Sequence, residues 1–424
     1  MPHLLILADF PGHEFWFFQT LAPYMKKFST TIVYLHPSQR RCSPIYRKVD
    51  NLYIVYPPII PVGFKYFKYL EVKEAASNFA NPSKPKVYLN FMHFPALMTI
   101  YYLFLPLLFL LAKIERDKFD LFIADFGPYP QLLCALLALI KRKPYIMTMD
   151  ITYLSGRSFS RVLKFALLIL SYKIKRPEYV VLPPDPVIKY YVNKTFKTAK
   201  IVFTNTIASS FFRRSINDDE LSSLRSTYGL KPAVKYVIFP ENPRKLIYVL
   251  PTLLKIIEAV NVKGYNYKFI VFGNLSTLLP FLKKVGKEVR SKLIVIPPVP
   301  HSQMPLWLRL ASAGLQISKT GYCIGTKTAE YVLAGLPFVA AGAFWKMYVT
   351  ASEFPLIHGK NCLFAPLDPN RIADELIYLL ENPDLHNSMR EGLLRVADLF
   401  DKEKVATFWE RKLACTLREF VKAH

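Results

Sequence analysis

Lys319, Lys327 and Glu330 stand close together in SKTGYCIGTKTAEYVLAGLPFVAA, residues 318–341, a stretch punctuated by Gly321 and Gly325. Glycines let a backbone approach a ligand closely, and the pattern after Gly325 predicts a helix starting near Lys327. A helix start offers unpaired N–H groups and the positive end of the helix dipole, which suits a diphosphate. Thr326 and Lys327 occupy that first turn, where the lysine adds a point charge, and Lys319 is a second cation just upstream. Glu330 falls one turn further on, where a carboxylate can accept both hydrogen bonds of a ribose diol. Gly335–Leu336–Pro337 then ends the helix and launches the next strand. The run Gly321-x-x-x-Gly325-Thr326-Lys327-Thr328 has the wrong spacing for a P-loop. Alone, a Gly-rich turn carrying a lysine is weak evidence and reads by default as a structural linker.

These residues need a scaffold, and the chain supplies one. Leu4–Ala8, Thr31–Leu35, Leu52–Tyr56, Leu121–Ala124 and Pro144–Met149 read as apolar strands, with helices over Glu14–Lys27 and Tyr129–Ile140. The pattern restarts with strands Val234–Phe239, Tyr267–Phe272, Lys292–Ile296, Gly314–Ile317 and Phe338–Ala340, and a helix over Lys245–Val260. Such alternation predicts α/β architecture with parallel sheets covered on both faces. The length of 424 residues suits two domains. A boundary is expected near 200–232, giving domains 1–205 and 206–395. A last helix, Lys402–Val421, with Val405, Phe408, Trp409 and Leu413 on one face, is expected to pack back on the first domain as part of 396–424. The pair Asp218–Asp219 is followed by Glu220 in what reads as a loop, so it is no D-x-D metal pair.

Composition narrows the partners. With 56 Lys+Arg against 31 Asp+Glu, the net charge is +25, which points to an anionic partner or to solubility alone. No metal-finger spacing, ribonucleoprotein motif or sustained basic helix accompanies it, so nucleic acid is not expected. The five cysteines, Cys42, Cys134, Cys323, Cys362 and Cys415, contain no C-x-x-C pair and read as thiols of a reducing compartment. The N-terminus reads as a first strand, not a signal peptide. A cytoplasmic location, peripheral or monotopic on the inner face of the membrane, is expected.

Membrane contact enters through Phe94–Ala112, an uncharged apolar run flanked by Lys84, Lys86, Lys113 and Arg116. Its length reaches that of a membrane span. Pro95 and Pro106 interrupt it, and the α/β pattern continues on both sides, which favours a helix lying in the interface over a span or a core helix. Phe159–Arg176, where basic residues bracket FALLIL, is a second candidate.

Lys327-x-x-Glu330-Tyr331-x-x-Ala334-Gly335-x-Pro337-x-Val339 resembles the donor-site signature of retaining GT-B glycosyltransferases, family 4 (group 1) in particular. Val295–Ser318 resembles the strand, helix and strand that precede that signature, and Ile357–Leu367 the turn that follows it. The opening DFPGHEFWFFQTLAPYMKKFSTTIVYL resembles the first strand, loop and helix of the same fold. The resemblance implies GT-B architecture: two Rossmann-like, doubly wound parallel-sheet domains facing a cleft. It implies donor-binding roles for Glu330, on the ribose, and for Gly325, Thr326, Lys327 and Lys319. Arg244 and Lys245 would hold the diphosphate from the loop after the second domain's first strand. The family's sugar-contacting glutamate falls at Tyr322, and its reaction-centre histidine at Met149, followed here by Asp150. Asp150 is assigned a catalytic role facing the acceptor, beside its plainer reading as a helix N-cap. Gly12 and His13 would face the acceptor from the first domain, His13 reading otherwise as an exposed loop residue.

The resemblance further implies a hexosyltransferase that moves a sugar from a UDP- or GDP-sugar, with retention and without a metal or other cofactor. The basic charge and the two apolar segments point to a lipid-linked or membrane-bound glycan as acceptor. Departure of a nucleoside diphosphate leaves negative charge that fixed cations and helix N–H groups stabilise. Two alternatives share the fold: a nucleotide-sugar epimerase or hydrolase, and a catalytically degenerate scaffold at a membrane.

Overall fold

A computed structural model describes residues 1–8, 17–34, 45–49, 52–56, 119–125, 128–149, 159–182, 196, 200–241, 243–318, 324–351 and 354–423. The chain divides into two compact units. One comprises Met1–Leu182, Lys194–Phe203 and Ala406–His424; the other comprises Pro183–Asn193 and Thr204–Val405.

In the first unit eight strands form one sheet: β1 (His3–Ala8), β2 (Ser29–Tyr34), β3 (Ile45–Val49), β4 (Leu52–Tyr56), β5 (Leu121–Asp125), β6 (Tyr145–Thr148), β7 (Tyr179–Leu182) and β8 (Ile201–Phe203). Their order is β3-β4-β2-β1-β5-β6-β7-β8, parallel except where β3 meets β4. β5 and β6 are buried along their whole length, as expected of strands covered on both faces. The expected helix 14–27 is shorter in its described part, a helix Phe17–Leu21 passing into a 3-10 turn at Ala22–Tyr24. Pro23 explains the change, because a proline has no N–H for the α-helical ladder.

The C-terminal helix Lys402–Ala423 contributes to this unit by burying Ala406, Trp409 and Leu413. Trp409 meets Phe18 edge-on with ring centroids 4.9 Å apart. Glu410 accepts the Lys27 N–H at 2.6 Å, and Lys412 lies 4.5 Å above the Tyr179 ring. Phe408, expected on the buried face, is 49% exposed. Trp409 takes the buried position, and Phe408, one residue before it, lies at the exposed margin of the apolar face.

The second unit holds β9 (Tyr236–Phe239), β10 (Lys268–Phe272), β11 (Leu293–Ile296), β12 (Ala313–Ser318), β13 (Phe338–Gly342) and β14 (Leu363–Ala365). They form an all-parallel sheet in the order β11-β10-β9-β12-β13-β14. Alternate residues of β9 serve opposite faces: Val237 and Phe239 pack with Leu246, Leu250 and Leu376, while Tyr236 and Ile238 pack with Trp307, Tyr331 and Leu393. Helices Pro243–Val262 and Pro369–Glu381 therefore cover one face, and Met304–Leu310 and Thr326–Ala334 the other.

Asp218 and Asp219 do not lie in a loop. They open the helix Asp218–Tyr228, whose cap is Asn217: its side chain accepts the Glu220 N–H at 2.8 Å, and Glu220 accepts the Asn217 N–H at 3.2 Å. Carboxylates in a first turn are favoured by the helix dipole, so the acids start a helix where they had suggested an irregular segment.

Among the described residues no helix is long and apolar enough to cross a membrane. The run Phe94–Ala112 lies outside the described residues. The helix Phe159–Ile174 turns Leu167, Leu168 and Ser171 inward against the helix Pro128–Ile140 and leaves Leu170 45% exposed.

Candidate functional site

In the second sheet the strand order reverses between β9 and β12, so the crossovers leave these two neighbours in opposite directions. Their carboxyl ends open a crevice, the place where doubly wound sheets bind ligands. The helix Pro243–Val262 starts just after β9, and the helix Thr326–Ala334 follows β12. Both helix starts thus lie at the switch point.

The second helix is held there by packing and hydrogen bonds. Tyr331 is fully buried, donates its hydroxyl proton to the Leu315 carbonyl at 2.9 Å, and lies on Gly314. Burial pushes its phenol well above the ordinary tyrosine value, so it stays a neutral donor. At the helix start Gly325 donates its N–H to Thr328 Oγ1 at 3.2 Å, and Thr328 donates in turn to Gln316 Oε1 at 2.8 Å. A Cβ on Gly325 would run into the Gln316 amide. The far end is closed by Gly335 at φ 63°, the left-handed region that glycine adopts without penalty.

Glu330 projects from this helix and is 5% exposed. Its Oε1 receives two donors: Lys327 Nζ at 2.9 Å and His301 Nε2 at 3.2 Å. Facing a carboxylate, Nε2 is the nitrogen that carries the imidazole proton. His301 belongs to the turn His301–Gln303 that follows β11, and its ring sits edge-on to Phe211 and Phe212, with centroids 5.5 and 5.3 Å away. Glu330 Oε2 is buried and has no hydrogen-bond partner among the described residues.

No protein-family model matches the sequence, and no curated protein does. Among solved structures, the chain is similar to the sucrose-phosphate synthase from Thermosynechococcus elongatus, at 10% identity and TM-score 0.66, covering 100% of both chains. It is similar to Anabaena HepE in complex with UDP, at 13% identity and TM-score 0.63, covering 98% of this chain and 100% of that one. WaaG, a glycosyltransferase involved in lipopolysaccharide biosynthesis, matches at 10% identity and TM-score 0.55, with 97% and 98% covered. The fold is GT-B.

Within this GT-B chain, the structure brings Gly325, Lys327 and Glu330 together as the sequence suggests. Arg244 and Lys245 lie in the first turn of the helix Pro243–Val262 and not in a loop before it; their side chains lie outside the described residues, as does that of Thr326. Lys319, Tyr322, Gly12, His13 and Asp150 also lie outside them. Strand β6 ends at Thr148, and Met149 beyond it is 2% exposed and donates its N–H to the Val181 carbonyl at 2.9 Å.

Sequence reasoning missed His301, Gln316 and Thr328. Nothing in the spacing of His301 signals its role, because it reaches Glu330 from a different crossover. Gln316 and Thr328 carried a fainter signal, being polar residues at positions whose periodicity predicts burial.

Proposed function

We propose that this GT-B protein is a hexosyltransferase resembling family 4, moving a sugar from a UDP- or GDP-sugar to a lipid-linked or membrane-bound glycan with retention. The observation that carries the reading is Glu330: a buried carboxylate at the switch point of the second sheet, with one oxygen held by Lys327 and His301 and the other without a partner among the described residues. A ribose diol supplies the donor that Oε2 lacks. Lys327, in the first turn of the helix, lies where a diphosphate would meet both an ammonium and helix N–H groups. The printed ligand of HepE, UDP, and its further complex with UDP-glucose support a nucleotide-sugar as the ligand class.

In this reading the enzyme stabilises the leaving nucleoside diphosphate with Lys327, Lys319, Arg244 and Lys245, so no metal or other cofactor is needed. Gly325, Thr326 and Tyr322 complete the donor side. Gly12, His13 and Asp150 serve the acceptor, Asp150 and His13 as the catalytic residues. The lipid-linked acceptor rests on the net charge of +25, on the apolar run Phe94–Ala112 and on the described role of WaaG in lipopolysaccharide biosynthesis. An anionic inner membrane face is the proposed working surface.

The test is a panel of UDP-, GDP- and ADP-sugars with purified protein and membrane lipids, scoring released nucleoside diphosphate beside Glu330→Ala. Lipid-dependent release from one donor, lost in the variant, is expected. Release that is indifferent to lipid refutes the membrane acceptor, and no release from any donor refutes the enzyme reading.

A further inference from the structure

Both described donors to Glu330 meet the same oxygen, Oε1, and they differ in reach. Lys327 reaches it from the same helix, three residues away, on a flexible stem whose side chain is 24% exposed. His301 comes from a separate segment; its side chain is half exposed, on a stem with only two rotatable bonds, and its ring sits edge-on to Phe211 and Phe212. The two donors therefore respond differently to an arriving anion. A diphosphate brings several negative charges, and a lysine ammonium is a mobile point charge drawn towards them. The shorter histidine side chain, turning about two bonds, has less reach.

If Lys327 were the sole partner of Glu330, drawing it away would leave a buried carboxylate without a compensating donor, a strongly unfavourable state. Ligand binding would then be opposed by the loss of the pair that holds the empty site together. His301 removes that opposition. Its Nε2–H keeps Oε1 occupied after Lys327 departs, and the carboxylate stays oriented with Oε2 towards the ligand.

We propose that His301 is a positioning residue that holds Glu330 while Lys327 exchanges the carboxylate for a diphosphate. The proposal rests on the reading of this site as a nucleotide-sugar site. It has a consequence that a merely structural histidine would not share. In the empty protein the two donors are redundant, so removing His301 leaves Lys327 to satisfy Oε1 and the fold loses little. Only in the complex does Glu330 depend on the histidine.

The experiment compares full-length wild type, His301→Ala and His301→Gln, measuring binding of UDP, GDP and ADP by calorimetry and the melting temperature of each protein without ligand. His301→Ala is expected to melt close to wild type yet bind the preferred nucleoside diphosphate about 10–100-fold more weakly, the scale of a lost hydrogen bond to a charged group. His301→Gln, which keeps an N–H at the position of Nε2, is expected to recover most of that affinity. Affinity in His301→Ala equal to wild type overturns the proposal, as does a lowered melting temperature with no specific loss of binding. Weak binding that glutamine fails to restore also counts against it. Wild type that binds none of the three nucleotides overturns the nucleotide-site reading itself, which separates that failure from the failure of His301 alone.

Discussion

Gly325→Ala should damage the second unit out of proportion to the size of a methyl group. Gly325 has φ −142° and ψ −173°, extended backbone open to any residue, so the cost is not one of conformation. It lies in space: the added Cβ would run into the amide of Gln316, which is 5% exposed and engaged by the hydroxyl of Thr328, itself fully buried. Gln316 has to shift, and its bond to Thr328 is lost with it. Overpacking costs about 1–3 kcal/mol and the lost hydrogen bond about 1 kcal/mol, so a total of about 2–4 kcal/mol is expected. For a unit of this size each kcal/mol lowers the melting temperature by about 2–4 °C, giving a fall of roughly 4–16 °C. The assay is thermal and denaturant unfolding of Gly325→Ala, Gln316→Ala and the double variant. If the clash is the cause, shortening Gln316 makes room, and the double variant is more stable than the sum of the two single losses requires. Strictly additive losses, or Gly325→Ala melting as wild type, would refute the steric account of why a glycine starts this helix.

Two further expectations concern other parts of the fold. Burial pushes the His358 imidazole below its ordinary value, and its Nδ1 accepts the Phe364 N–H at 2.9 Å. The unfolded chain therefore binds this proton more readily than the folded one, so His358 costs no stability above about pH 6.5 and progressively more as the pH falls from there towards its lowered folded value. Denaturant titrations between pH 8 and pH 5 should show that slope, and His358→Asn should flatten it; equal slopes would remove His358 as the cause. In the C-terminal helix, Trp409→Ala should destabilise the first unit by about 3–5 kcal/mol, whereas Phe408→Ala should cost about 1 kcal/mol or less. Unfolding monitored on the first unit decides between them, and the reverse order would contradict the observed burial of Trp409.

Much of the architecture was legible in the sequence because strands and helices announce themselves through local periodicity. The runs Leu4–Ala8, Leu121–Ala124 and Phe338–Ala340 are strands in the structure, each within a residue or two of its expected ends. The helix carrying Lys327 and Glu330 was equally readable, since Gly325 and Gly335 mark its two ends in the chain itself. Even Asn217–Glu220 held a capping signature that its cluster of acids disguised. All of these depend on interactions between residues a few positions apart.

What the sequence could not decide is which distant side chains converge. His301 and Glu330 are separated by 29 positions, and Thr328 and Gln316 by 12. His301, which follows β11, reaches Glu330, which follows β12, across the β10 and β9 that lie between them, an order set by the sheet and not by spacing along the chain. Thr328 meets Gln316 because its helix packs back on the strand before it. The same holds for Trp409, which is buried against Phe18, a residue far away along the chain. Local pattern determines which face of an element is apolar; the chain crossings then determine what that face meets. Of the partners of Glu330, Lys327 is local, three residues away on the same helix, whereas His301 belongs to the second kind of information.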